Sequence, residues 1–335
     1  MKTILLLVTL LPLISFSQTK TTIANGDFYN PIVWDCFCLP ASGDNLIINH
    51  DLIMNTDIYY TAGQILINAN GSLAEDATGR DFWADGTANL TNQGDFTVSR
   101  LLFSPNAVFT NGGVANIVDS LFNQGVISNN GTVSVFDFLN DQTGTLTNFG
   151  TISILNNMNN QGEVNNQSNM DLGNDFSNCN TQTMDAVFNN DGIFCVTNNF
   201  SNCPDDTLKG MGDYYIGGSS TNLGVFDETF TFNTPSGTIG LPGTIAPGVT
   251  VTAGSCTLGL EFSDDISFEV FPNPTNSDIH FSITDVNYVL YDYSGKLISK
   301  GKIENYRIDF NNIADGLYTL VLEDYGTARF IKQNN

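Results

Sequence analysis

The residues best suited to chemistry are four carboxylates, Asp205-Asp206 with Asp191 and Asp213 on either side. Two carboxylates on one face can cleave a glycosidic bond, one as acid and the other as base or nucleophile. A polysaccharide lyase would instead need a base beside Arg or Lys. Between residues 21 and 265 the only cations are Arg80, Arg100 and Lys209, far apart in sequence, and the only His is His50. His50 follows an apolar run and reads as a surface or capping residue. Gly-x-Ser-x-Gly, phosphate-loop and zinc motifs are absent, as is the Gly-Asp-rich calcium nonapeptide. The expectation is a protein with no catalytic residues, no cofactor and no metal; the alternative is a polysaccharide-active hydrolase or lyase. Two aromatic pairs, Phe82-Trp83 and Tyr214-Tyr215, could stack on sugars, although packing explains them as well.

Six cysteines remain: Cys36, Cys38, Cys179, Cys195, Cys203 and Cys256. An even number in an exported chain favours disulfides. Cys36-Phe37-Cys38 has the wrong spacing for a zinc half-site. Phe176-Ser177-Asn178-Cys179 recurs as Phe200-Ser201-Asn202-Cys203, which suggests that Cys179 and Cys203 occupy like positions on stacked turns.

Export is read from the N-terminus, MKTILLLVTLLPLISFSQ. A Lys precedes an apolar run too short to span a bilayer, and small residues at 15 and 17 mark cleavage before Gln18, so residues 1–17 are expected to be a signal peptide. The net charge is −24. Residues 18–265 hold 26 Asp and Glu against 4 Lys and Arg, whereas residues 266–335 hold 9 against 6. Such an acidic body excludes nucleic acid and anionic membrane surfaces as partners.

The body carries a repeat. Gly94, Gly113, Gly131 and Gly150 form one series, and Gly125, Gly144 and Gly162 a second, interleaved one. The steps are 18 or 19 residues. Between them run short alternating stretches such as Thr132-Val133-Ser134-Val135 and Thr151-Ile152-Ser153-Ile154. One such turn cannot bury its apolar face, but stacked turns can. The pattern predicts a parallel β-helix of on the order of ten turns between residues 40 and 250, right-handed because the period is not strictly 18. Asn and Gly are expected at the corners for their tolerance of left-handed backbone. The 14 Asn between residues 111 and 169 are expected to hydrogen-bond up and down the stack rather than hold a ligand. Asn30-Pro31-Ile32-Val33-Trp34, followed by Pro40-Ala41-Ser42-Gly43-Asp44-Asn45, resembles the opening of many secreted bacterial β-helix surface proteins, and implies a cap on the N-terminal end of the core.

After Cys256 the pattern becomes ordinary antiparallel β, with about seven short strands that suggest a small Ig-like sandwich. Three stretches, FPNPTNSDIHFSI, VLYDYSGKLISKG and ADGLYTLVLEDYGTARFIK, resemble the C-terminal sorting domain of the type IX secretion system of Bacteroidota. The resemblance rests on Pro272, Asn273 and Pro274, on the hairpin through Gly295 and Lys296, and on Gly316 and Tyr318. It implies export across the outer membrane, with the secretion machinery as partner and release or attachment to surface lipopolysaccharide as the outcome. Asp119-Ser120-Leu121 and Asp206-Thr207-Leu208 match the O-glycosylation signal of the same bacteria, making Ser120 and Thr207 candidate acceptors. The expected organisation is a signal peptide at 1–17, a β-helix at 18–262 and a sorting domain at 263–335. The expected function is that of a monomeric secreted or surface protein, adhesin-like, binding glycan or matrix.

Overall fold

The computed structural model describes residues 18–256 except 77, 181–183 and 241, and then 270–271, 275, 278–281, 284, 286–292, 296–303, 306–310, 313–322 and 326–333. The expected signal peptide, residues 272–274 and residue 295 lie outside this set. The chain divides into two compact units, Met1–Leu258 and Gly259–Asn335.

The first unit is a parallel β-helix of about eleven turns. Residues 145–160 show how a turn is made. Strand Thr145–Asn148 is followed by Thr151–Ile154 and Met158–Asn160, and each pairs in parallel with its counterparts one turn earlier and one turn later. Side chains alternate, so Leu146, Ile152, Ile154 and Met158 point inward and are buried. Twelve strands, from Thr19–Thr21 to Thr244–Ile245, stack into one face; at a strand spacing of ~4.8 Å that face is about 50 Å long. One continuous hydrophobic core fills the interior from Phe28 to Phe232.

Two buried asparagine ladders run through this core. In the first, the Nδ2 of Asn92, Asn111, Asn129, Asn148 and Asn166 each donates to the Oδ1 of the next, ending on Asn190, at 2.7–2.8 Å. In the second, Asn123, Asn140, Asn160, Asn178, Asn202 and Asn222 are linked in the same way. All twelve are fully buried. Each Nδ2 has a second proton, which goes to backbone: Asn129 donates to the Thr151 carbonyl at 3.0 Å, while its Oδ1 accepts from the Gly131 N–H at 3.2 Å. A buried amide is costly only when unpaired, and these are paired on every side. A third ladder, Asp137–Asn156–Asn174–Asn198, lies nearer the surface on a different bend and bonds within itself. The abundance of Asn is therefore structural.

The corner glycines need a correction. Gly94, Gly113, Gly131 and Gly150 are not among the residues with left-handed backbone. Their requirement is space: a Cβ on Gly113, Gly131 or Gly150 would overlap the carbonyl oxygen of the series glycine one turn earlier. The turns approach too closely there for any side chain.

At the N-terminal end the residues read as a cap pack into the core. Trp34 is wholly buried, donates its Nε1 proton to the Phe28 carbonyl at 2.9 Å and meets the Phe28 ring edge-on. A single 3-10 turn, Pro31–Val33, is capped by Asn30, whose Oδ1 accepts from the Ile32 N–H.

The second unit has, among the described residues, seven antiparallel strands in sheets of three and four. Its own core includes Ile279, Leu290, Ile308, Tyr318, Leu320 and Phe330. This fits the small sandwich read from the sequence.

Candidate functional site

The four carboxylates do not share a bend of the coil. Asp205 and Asp206 precede strand Thr207–Lys209, whereas Asp191 lies in the bend after strand Val187–Asn190 and Asp213 opens strand Asp213–Ile216. Asp206 is buried and its two oxygens take the N–H groups of Asn180 and Ala186, at 2.9 and 2.6 Å. Burial pushes its carboxyl above the usual range, with the two amides opposing. Asp206 therefore ties the backbone at Asn180 and Ala186 to its own turn. It also lies, with the Cys179 and Cys203 sulfurs, in a group whose ligand atoms fall within 4.8 Å of one another. Those sulfurs are bonded to each other and the carboxylate is engaged by amides, so the group does not fit a metal ion.

Arg80, Arg100 and His50 are also engaged. Arg80 pairs with Asp76 at 2.8 Å, and its hydrogen bonds hold the Asp76 carboxyl down at about 2. Arg100 pairs with Asp81. The Nδ1 of His50 lies 3.0 Å from the Thr22 hydroxyl. At Lys209 the bond is to the backbone, where the carbonyl accepts from the Tyr214 hydroxyl at 2.8 Å; the ammonium takes no part in it. All six cysteines are paired: Cys36–Cys38, Cys179–Cys203 and Cys195–Cys256. The second pair joins matching positions on adjacent turns, since Phe176, Ser177 and Asn178 lie in register with Phe200, Ser201 and Asn202.

Strand alternation splits both aromatic pairs. Phe82 and Tyr214 are buried; Trp83 and Tyr215 face outward. Trp83 belongs to a feature that sequence reading missed. Tyr59, Trp83, Leu102, Phe122 and Leu139 stand in register on five successive turns, all on the outer surface of one face. Tyr59 and Trp83 are 59 % and 36 % exposed, and their rings lie 5.3 Å apart; the other three are half-buried. Two residues earlier in the chain runs a polar column of Asp57, Asp81, Arg100, Ser120 and Asp137. On the next turns the apolar column gives way to Asn159, Ser177, Ser201 and Thr221. The signal in the sequence was faint, one outward apolar residue every 17 to 24 positions.

The candidate O-glycosylation acceptors are both half-buried. Ser120 sits inside the polar column, so a glycan there would lie beside the apolar one. Thr207 opens its strand, with its N–H on the Ala186 carbonyl.

In the second unit the motif residues have structural work. The Asp292 carboxylate takes the Lys296 N–H at 3.1 Å, while the Asp292 N–H goes to the Lys296 carbonyl, closing the hairpin. Tyr318 is buried, stacks on Phe330 and donates its hydroxyl to the Ala314 carbonyl at 2.7 Å. Thr275 pairs with the last strand through Ile331 and Gln333, fastening the start of the unit to its end. A Cβ on Gly316 would meet only the Tyr318 ring, at an ordinary 3.7 Å.

Residues 269–333 match the family described as secretion system C-terminal sorting domain. The chain carries a type IX sorting domain. The match covers about a fifth of the chain and says nothing of the β-helix. With this domain the protein is a type IX export substrate, secreted or held at the cell surface, and the secretion machinery is its partner. The domain is consistent with an origin in Bacteroidota. Among the described residues no helix is long and apolar enough to cross a membrane. No curated protein and no solved structure matches the chain.

Proposed function

We propose that the β-helix is a non-enzymatic binding rod whose outward apolar column docks a linear neutral glycan along the helix axis. The observation that carries this reading is the column itself: Tyr59, Trp83, Leu102, Phe122 and Leu139 have no fold-level reason to be apolar on the outside. The turns beyond them fold with Asn, Ser and Thr at the same position. At ~4.8 Å per turn the five residues span about 19 Å. Pyranose rings present apolar C–H faces and a rim of hydroxyls. The apolar column suits the faces, and the Asp57–Asp137 polar column suits the hydroxyls. The glycan is neutral because a body with 26 acidic and 4 basic residues repels polyanions. A protein partner is disfavoured by area: a stable interface takes about 800 Å² from each side, and three of the five side chains are already half-buried.

The test is affinity electrophoresis of the exported chain through gels containing a neutral glucan, a neutral mannan or an anionic polygalacturonate. Retardation by a neutral polymer should be abolished in the double variant Trp83→Ala, Phe122→Ser with the melting curve unchanged. Equal retardation of variant and parent, retention only by the polyanion, or release of new reducing ends would each overturn the reading.

A further inference from the structure

Three disulfides close loops of very different size. Cys195–Cys256 spans 61 residues and Cys179–Cys203 spans 24; Cys36–Cys38 spans two, with Phe37 alone between them. The stabilisation a bridge gives by restricting the unfolded chain grows with the loop it closes, so this one gains least. It also carries a conformational burden. Phe37 has φ +52°, in the left-handed region that a bulky side chain rarely adopts. Little packing offsets that strain, because Phe37 is 68 % exposed.

The cap, moreover, does not depend on the bridge. Before it, Trp34 is buried, and Asp35 is tied to Thr21 twice, by its own N–H to the Thr21 carbonyl and by its carboxylate to the Thr21 N–H. After it, the Leu39 carbonyl accepts from Lys20 Nζ, Pro40 is buried, and the Ala41 N–H donates to Asp44. The backbone is held on both sides of a short exposed loop. Strained, exposed disulfides are the ones that exchange with thiols.

We propose that Cys36–Cys38 is a thiol-exchange site, a disulfide that accepts electrons from external dithiols while the β-helix stays folded. A partner thiolate attacks the exposed Cys36 sulfur, the Cys36–Cys38 bond breaks, and Cys38 leaves as a thiolate. The partner's second thiolate then attacks its own sulfur in the mixed disulfide and displaces Cys36. The protein ends with two thiols and the partner with one disulfide, two electrons and two protons having moved. Opening lets Phe37 leave the left-handed region, which favours the reduced form.

The experiment uses dithiothreitol as the probe on the folded exported chain without denaturant, followed by alkylation of free thiols and peptide mass spectrometry. Cys36 and Cys38 should become alkylated at dithiothreitol concentrations at least tenfold below those that open the other two bridges, with no change in the melting curve. Phe37→Gly, which adopts positive φ without cost, should raise the concentration needed severalfold. Phe37→Asn should act in the same direction and Phe37→Ala should not. Opening of all three bridges together, or loss of the folded state when Cys36 and Cys38 open, would overturn the proposal. So would a Phe37→Gly protein that reduces as readily as the parent.

Discussion

Two columns of side chains occupy neighbouring positions on the same strands and invert the usual rule. At Phe122-Asn123 and Leu139-Asn140 the polar residue points into the core and the apolar one points out. The inward column is tolerable because each amide bonds to a neighbouring turn and to the backbone. The outward column has no such internal account. Buried polarity here is architecture, and the exposed apolar column is the basis of the proposed docking face.

The comparison breaks most sharply inside. Asn148→Asp should be the most damaging change, because a buried carboxylate would replace a donor facing the Asn166 Oδ1 and the Asn169 carbonyl. A loss of about 4 kcal/mol is expected in urea unfolding. The substituted carboxyl would have a raised pKa in the folded state, so its cost should shrink as pH falls and the group stays protonated. Asn148→Ala should cost less, about 3 kcal/mol, through two lost ladder bonds and a small void. A cost below about 1 kcal/mol for either would mean that the ladders are ornamental.

Gly113→Ala should cost about 2 kcal/mol, since its Cβ overlaps the Gly94 carbonyl. The neighbouring Gly112→Ala meets nothing closer than 3.7 Å and should change stability by less than about 0.5 kcal/mol. Equal thermal melts for the two variants would show that turn spacing is not what selects glycine.

On the outer column the expected stability effects are smaller and the binding effect larger. Trp83→Ala should shift stability by less than about 1 kcal/mol yet weaken retardation by neutral glycan. At the first polar position, Asn159 has a buried Oδ1 with no hydrogen-bond partner among the described residues. Asn159→Leu should stabilise by about 1 kcal/mol by removing that acceptor, and it lengthens the apolar column by one turn. Calorimetry with the same glycan checks both; weaker binding by this variant would count against an apolar docking face.

Much of this was legible in the chain. The spacing of Gly94, Gly113, Gly131 and Gly150 announced a stack, and the recurrence of Phe-Ser-Asn-Cys announced the Cys179–Cys203 bridge. Local repetition maps directly onto register when each turn sits on the one before. The reason for the glycines was not legible, since close approach between turns is a property of the stack and not of a corner's own dihedrals. Nor could Asp206 be separated from a catalytic carboxylate: its amide partners, Asn180 and Ala186, lie 26 and 20 positions earlier, and only the folded coil brings them to it.

The sequence by itself determined the coil, its asparagine filling, its acidic character and its export signal. These follow from short-range alternation, composition and a contiguous motif, which need no knowledge of distant contacts. Where no motif repeats, tertiary structure alone decided which side chains meet across turns. Tyr59 and Leu139 are 80 positions apart in the chain, and only the pitch of the helix, one strand spacing per turn, sets them in a single column.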